Sequence, residues 1–204
     1  MGEQEFFQPL TKEDTVTVIL YRIGIVFSTA IISFIAVLVY KGPSLLYPMS
    51  ISGTSSIILL LLLYLSVGLC VFFIHLYVGS YHRFLKKIFY VSLLCLAGLF
   101  IIGKGNPVVP LLRTPPYSVM LLIPLSLCIG FVTAKEAVCF RLFEGYIIAM
   151  IMPVYLFVYS LGVLDQKGAA FILAFIALML VFFMLRKVFM PIHYDIGDKS
   201  AYQP

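Results

Sequence analysis

Long apolar stretches alternate with short polar segments along most of the chain. Six of these stretches run, with few charged residues, for roughly the 20 residues that a helix needs to cross the hydrocarbon core of a bilayer. Backbone groups in lipid must bond one another, so each stretch is predicted to be a transmembrane helix. The predicted spans are residues 16–40, 56–78, 88–103, 117–133, 145–164 and 169–189.

The polar segments between the spans are short, so neighbouring helices are predicted to pack antiparallel. The predicted fold class is all-α: a polytopic membrane protein built as one compact bundle of six transmembrane helices over residues 16–189, with tails at 1–15 and 190–204. Pro124 and Pro153 lie within the fourth and fifth spans, where each is expected to kink its helix.

Lysine and arginine are divided unequally between the two ends of this bundle. Ten of the 14 fall on the side of both tails and four on the other. The positive-inside rule then predicts that both termini are cytoplasmic. The net charge of +5 belongs to this topology, and the sequence offers no basic domain that would bind nucleic acid.

Composition supports the membrane assignment. The hydrophobic fraction is 62%, the mean hydropathy is +1.10 and only 11% of the residues are charged. Soluble domains are about 45–50% apolar and about 25% charged. The bilayer is therefore the expected solvent, and lipid the first expected partner. Four scattered cysteines, at 70, 95, 128 and 139, are expected to act as small buried hydrophobic residues.

The stretch TAKEAVCFRLFEG, residues 133–145, concentrates charged side chains between the fourth and fifth spans. One interpretation is a solvated loop. The other is a paired cluster held at the membrane boundary, favoured by the aromatic residues beside the charges, because charges that enter the membrane need partners. The residues concerned are Lys135, Glu136, Arg141 and Glu144.

Arg22 and His75 lie inside the predicted first and second spans at the same depth. Arg22 could extend to the cytoplasmic surface, or pair with Glu136 or Glu144. His75 could be hydrogen-bonded to a neighbour, relay protons, or bind a metal or a tetrapyrrole. Asp195 is interpreted as isolated near the surface. The predicted polar cluster, structural or ligand-binding, comprises Arg22, His75, Lys135, Glu136, Arg141 and Glu144.

Three stretches, YRIGIVFS (21–28), HLYVGSYHRFLKKI (75–88) and AKEAVCFRLFEG (134–145), together resemble a group of uncharacterised six-span integral membrane proteins found largely in cyanobacteria and other bacteria. The resemblance implies the fold and the membrane location and carries no reaction with it. The matching stretches hold the same six polar-cluster residues.

No familiar enzyme motif is recognisable, so the favoured function is a non-enzymatic accessory or assembly component of a larger membrane complex, with other membrane-protein subunits as partners. A small-solute or ion transporter with a proton-coupled Glu/His site, and a haem- or tetrapyrrole-binding protein using His75, are the alternatives. The expected location is the bacterial cytoplasmic membrane, or else a thylakoid or organelle membrane. No catalytic or metal residue and no obligatory cofactor is predicted.

Two hypotheses concern packing. Gly24, Ser28 and Gly98 are candidates for a small-residue face on which helices approach closely. If Glu144 is paired with a buried arginine, Glu144→Gln should destabilise the fold.

Overall fold

The computed structural model describes residues 11–41, 54–76, 79–113 and 115–196. These ranges contain helices and turns and no strand. Two short 3₁₀ helices, Val109–Leu112 and Tyr117–Leu122, precede the fourth long helix. The α-helices are α1 (Lys12–Lys41), α2 (Thr54–Phe73), α3 (Gly79–Ile102), α4 (Ile123–Phe140), α5 (Phe143–Ser160), α6 (Gln166–Val188) and the short α7 (His193–Ile196).

Six helical segments are long and apolar enough to cross a membrane, the fourth being α4 together with the 3₁₀ helix before it. Each of the six long helices packs against the next in the chain, and α1 also packs against α6, which closes a ring. Contacts between α2 and α4 cross its centre, and α7 lies against α1. The start of α1, the turn between α4 and α5 and the end of α6 meet at one end of the bundle, called the tail end below.

Large apolar side chains cover the outside of the bundle. Leu94 is 73% exposed, Ile101 79%, Met150 71% and Phe171 70%. In water this much apolar surface would drive association, whereas in a bilayer it is the surface that lipid requires. The six-helix membrane bundle that the sequence predicts is therefore the fold of this chain.

Helix starts follow local capping rules. At α1, the Thr11 hydroxyl accepts from the backbone N–H of Asp14 at 3.2 Å, and the Asp14 carboxylate accepts from the backbone N–H of Thr11 at 2.9 Å. This reciprocal pair is a capping box with aspartate in the acidic position. At α6, Asp165 caps the helix by accepting from the backbone N–H of Gly168 at 3.0 Å.

Several helix boundaries differ from those predicted. α3 begins at Gly79 rather than near residue 88, because the polar first turns belong to an amphipathic helix that buries Leu85 and Phe89. The fourth span continues to Phe140 instead of ending near residue 133. Pro124 stands in the first turn of α4, where a missing N–H breaks no helical bond. A proline at this position therefore gives no reason for the predicted kink.

The α4–α5 connection is a turn of two residues. Arg141 ends α4 in the left-handed conformation with a φ of 54°, and the fully buried Leu142 leads into α5. The helices then approach so closely that a Cβ on Gly145 would lie 2.5 Å from the carbonyl oxygen of Thr133. A glycine is therefore needed at position 145.

The two glycines proposed for a small-residue face differ. A Cβ on Gly24 would lie 2.7 Å from both Cys70 Sγ and the carbonyl oxygen of Ser66, so α1 and α2 approach closely there. Ser28, one turn on, is buried on the same helix. Gly98 has open space around the position that a Cβ would take. Gly98 therefore lies at no close helix contact within the described part of this chain, and its place on a small-residue face stays a prediction.

Candidate functional site: a buried charge cluster

Polar side chains from α1, α4, α6 and α7 meet inside the tail end of the bundle. They connect parts of the chain up to 173 residues apart. We call this set the buried charge cluster; its members are Tyr21, Arg22, Lys135, Glu136, Lys187 and Asp195.

Glu136 lies at the centre of the cluster and is fully buried. Its Oε1 accepts from the Tyr21 hydroxyl at 2.7 Å and from Lys135 Nζ at 2.8 Å. Its Oε2 forms an ion pair with Lys187 Nζ at 2.5 Å, an electrostatic contact rather than an aligned hydrogen bond. An isolated carboxylate here would be costly, and these contacts from three helices compensate for its lost hydration.

Lys187, in the last turn of α6, is fully buried and joins the two carboxylates of the cluster. Its ammonium pairs with Glu136 on one side and with Asp195 on the other. The same Nζ lies 4.0 Å from the centre of the Phe140 ring, a distance that gives a cation–π contact. Lys187 therefore ties the end of α6 to both α4 and α7.

Arg22 holds the segment that follows α6. Its Nε and Nη2 donate to Asp195 Oδ2 at 2.8 and 2.5 Å. Its remaining donors reach three backbone carbonyls, those of Val188 at 2.9 Å, Met190 at 2.6 Å and Pro191 at 3.2 Å. All five guanidinium N–H groups are thus used. Through them α1 caps the Val188 carbonyl at the end of α6 and binds two carbonyls of the segment that follows it.

The charges of the cluster do not cancel. Arg22, Lys135 and Lys187 face Glu136 and Asp195, three cations against two carboxylates. Lys135 keeps some contact with the outside, since its side chain is 11% exposed. The excess positive charge disfavours a bound cation in this region.

A second ion pair lies apart from the cluster. Arg186 Nη1 donates to both carboxylate oxygens of Glu144, each at 2.9 Å, and links α5 to α6. The Arg186 side chain is 53% exposed and that of Glu144 11%. This pair is half-solvated, so removing one of its partners should cost far less than removing one partner of a buried pair.

His75 follows α2 and reaches α1. Its Nε2 lies 3.2 Å from Thr17 Oγ1. The Thr17 hydroxyl also lies 3.1 Å from the carbonyl oxygen of Glu13 and 2.9 Å from that of Asp14, and the tautomer of His75 sets which group donates in the Thr17–His75 contact. His75 Nδ1 is a buried atom without a hydrogen-bond partner in the described structure. Burial, together with the nearby Lys135 ammonium, lowers the pKa of His75 below 6.5.

The structure thus distributes the six predicted residues over several places. Lys135 and Glu136 lie in the cluster, on α4 rather than in a loop. Arg22 joins the cluster through Asp195, and through neither of the glutamates that were considered as its partners. Glu144 binds Arg186, and Arg141 is exposed in the turn.

Sequence reasoning missed Tyr21, Arg186, Lys187 and Asp195. The interpretation of Asp195 as an isolated surface residue is wrong: it is 5% exposed and pairs with Arg22 and Lys187. One signal could have found it. Basic residues within spans require counter-charges, and Asp195 follows Arg186 and Lys187 closely enough to fold back onto them.

No group of three metal-binding side chains occurs among residues 11–41, 54–76, 79–113 and 115–196. Cys70 and Cys128 are buried as expected and Cys95 is half-buried, whereas the expectation of burial is wrong for Cys139, which is exposed. His75 already uses Nε2 for Thr17, which leaves Nδ1 as the ring atom open to another ligand.

A comparison with protein-family models relates the sequence of this chain to other proteins. The family model described as "Uncharacterized integral membrane protein (DUF2301)" matches residues 69–203, more than half of the chain. The matched region includes the α4, α6 and α7 residues of the cluster and leaves out Tyr21 and Arg22. No curated protein and no solved structure matches the sequence.

Proposed function

The chain belongs to the DUF2301 family of integral membrane proteins, and from that premise we propose that it is a non-enzymatic accessory or assembly component of a larger membrane complex. In this proposal the buried charge cluster is structural: it locks one end of the bundle so that the helices present a fixed outer surface. One observation carries the proposal. The two carboxylates of the cluster are engaged by the cluster's own cations, and Arg22 has no donor left for a ligand.

The position of the cluster favours a structural role over a role as a transport site. Transporters commonly bind their substrates near the bilayer midplane, where broken helices leave polar backbone groups. Here the charges lie at the tail end, and Glu136 and Lys187 are fully buried against one another. A carboxylate held by two ammonium groups and a tyrosine has to lose those partners before it can bind a solute.

The outer surface offers contact area for a partner. Only 28% of the spanning window of α3 and of α5 is buried, against 44% for α2 and for the fourth span. Leu94 on α3 and Met150 on α5 stand out from the bundle. Lipid covers this surface in an isolated molecule, and a partner subunit would replace lipid there.

Site-specific photocrosslinking in the native membrane tests the proposal. A photoreactive residue replaces Leu94 or Met150 in the full chain, and Phe171 on α6 serves as a matched exposed control. We expect one of the first two positions to give a discrete protein adduct, and native electrophoresis to show that partner in a fixed ratio. Lipid adducts alone at all positions, with the protein migrating as a single chain, would contradict an accessory role.

Reconstitution in liposomes tests the transporter alternative. Under the proposal, a proton gradient drives no uptake that depends on Glu136. Uptake that Glu136→Gln abolishes, in a variant that still folds, would replace the accessory role with transport.

The proposal also includes an orientation. In the predicted topology, ten lysines and arginines fall on the side of both tails and four on the other. By the positive-inside rule the side of both tails faces the cytoplasm, and the proposed location is a bacterial cytoplasmic membrane.

A further inference from the structure

A small cavity lies beneath the buried charge cluster, on the side towards the middle of the membrane. Its volume is about 20 Å³. Four helices line it: Ser28 and Thr29 come from α1, Cys70 from α2, Thr133 from α4 and Phe183 from α6. Thr133 precedes Glu136 by one helical turn, and Cys70 donates to the carbonyl oxygen of Tyr21 at 3.8 Å, so the cavity adjoins the cluster directly.

One hydroxyl on this cavity has no partner. Thr29 is 1% exposed, and its Oγ1 makes no hydrogen bond in the described structure. A buried hydroxyl without a partner is destabilising, because it has lost its hydrogen bonds to water and gained none in return. Most threonines within helices avoid this cost by bonding to a carbonyl one turn back, as Thr133 does with Gly130 at 3.1 Å. Thr29 is therefore an unpaired group beside a space that could hold its partner.

We propose that this cavity binds one structural water molecule, which accepts from the Thr29 hydroxyl and donates to the oxygens of Ser28 and Thr133. The cavity exceeds the roughly 10–15 Å³ that a single water requires. Three hydroxyls also fall within the two to four polar partners that such waters use.

The direction of the existing hydrogen bonds selects water over an ion. Ser28 donates to the carbonyl oxygen of Ile25 at 3.1 Å, and Thr133 donates to Gly130. Both oxygens can therefore only accept from the occupant, while Thr29 still has a proton to donate. An anion would find acceptors at two of the three sites. A cation would face the excess positive charge of the cluster one turn away.

Substitution of Thr29 tests this inference through the sign of the stability change. Thr29→Val keeps the shape and removes the hydroxyl. If the cavity is empty, the variant loses an unsatisfied group and melts at a higher temperature. If water is bound, the variant removes one hydrogen-bond partner of that water. We then expect the melting temperature of the purified full chain to fall by roughly 2–4 °C.

Ser33→Ala on the same helix is the matched control. Ser33 Oγ is also buried without a partner, but Ser33 does not line this cavity. We expect this variant to melt at or above the temperature of the parent. A higher or unchanged melting temperature for Thr29→Val would overturn the proposal.

A high-resolution structure of the parent supplies a second test, which holds even if the variant fails to fold. We expect a density peak about 2.7–3.0 Å from Thr29 Oγ1. An empty cavity would refute the water site. Contacts near 2.3–2.6 Å to several oxygens would refute it in favour of a cation.

Discussion

At the scale of single residues, two glutamates on neighbouring helices show how burial sets the stability that is lost when an ion pair is broken. Glu136 is fully buried and held by Tyr21, Lys135 and Lys187. Glu144 pairs with an arginine whose side chain is 53% exposed. Removing one partner of a buried ion pair leaves a charge that nothing compensates. When an exposed pair loses one partner, water solvates the charge that remains, and little stability is lost.

The same substitution at the two positions should therefore have unequal effects. We predict that Glu136→Gln lowers the free energy of unfolding by about 3–5 kcal/mol, and Glu144→Gln by less than about 1 kcal/mol. Chemical or thermal unfolding in one detergent measures both, and each variant serves as the control for the other. Equal losses would show that Glu136 is not held as the structure places it.

His75 should make stability depend on pH. Its pKa in the folded protein is lowered, first by burial and then by Lys135; Asp195, Asp14 and Glu136 oppose this shift with smaller effects. The unfolded chain takes up this proton near pH 6.5, before the folded chain does. Stability is thus fully present above pH 6.5 and falls as the pH drops from 6.5 towards the lowered pKa.

Melting temperatures measured across this pH range test the effect. We expect the parent to lose stability below pH 6.5 more steeply than His75→Gln, whose amide can still hydrogen-bond to Thr17 but takes up no proton. Parallel curves for the two proteins would mean that His75 titrates alike in the folded and unfolded states.

At the scale of helices, close approach depends on single glycines. Gly24 brings α1 against α2, and a methyl group there would meet Cys70 and the backbone of Ser66 at 2.7 Å. Gly98 on α3 has no such neighbour.

We predict opposite outcomes for alanine at these two glycines. Gly24→Ala should destabilise the bundle by about 1–3 kcal/mol through overpacking. Gly98→Ala should be neutral, or stabilising by up to about 1 kcal/mol through helix propensity. Thermal unfolding of the two variants decides the matter. Tolerance of alanine at Gly24 would show that α1 and α2 are further apart than the structure has them.

The short α7 depends on one carboxylate. Asp195 is its link to both Arg22 and Lys187. We predict that Asp195→Asn speeds hydrogen exchange in residues 191–196 and destabilises the fold by about 3 kcal/mol. Asp165→Asn is the control, because asparagine caps a helix as well as aspartate does. Unchanged exchange in Asp195→Asn would mean that apolar packing alone holds α7.

At the scale of the whole molecule, orientation remains a prediction that can be measured. In a Cys139→Ser background, a cysteine replaces either Arg141 at the tail end or Lys167 at the start of α6; both are exposed positions. A membrane-impermeant maleimide added to intact cells should label Lys167→Cys and leave Arg141→Cys unlabelled until lysis. The reverse pattern would invert the proposed topology.

The sequence predicts the six spans because lipid imposes a length and an apolar composition that can be read residue by residue. It predicts helix ends less well, since α3 and α4 continue through polar residues once neighbours or the interface can satisfy them. The sequence does not predict the partners of Arg22, for another reason. Asp195 comes beside Arg22 only after the bundle has formed, and no local pattern encodes a contact over 173 residues.

The Arg22–Asp195 contact also has a consequence for biogenesis. A ribosome makes Arg22 long before Asp195, so α1 enters the membrane with a guanidinium whose counter-charge does not yet exist. Lys135 and Glu136 can meet within α4 at once, but Lys187 arrives with α6 and α7 follows it. Until then the nascent chain carries charges whose partners in the folded protein have not yet been made.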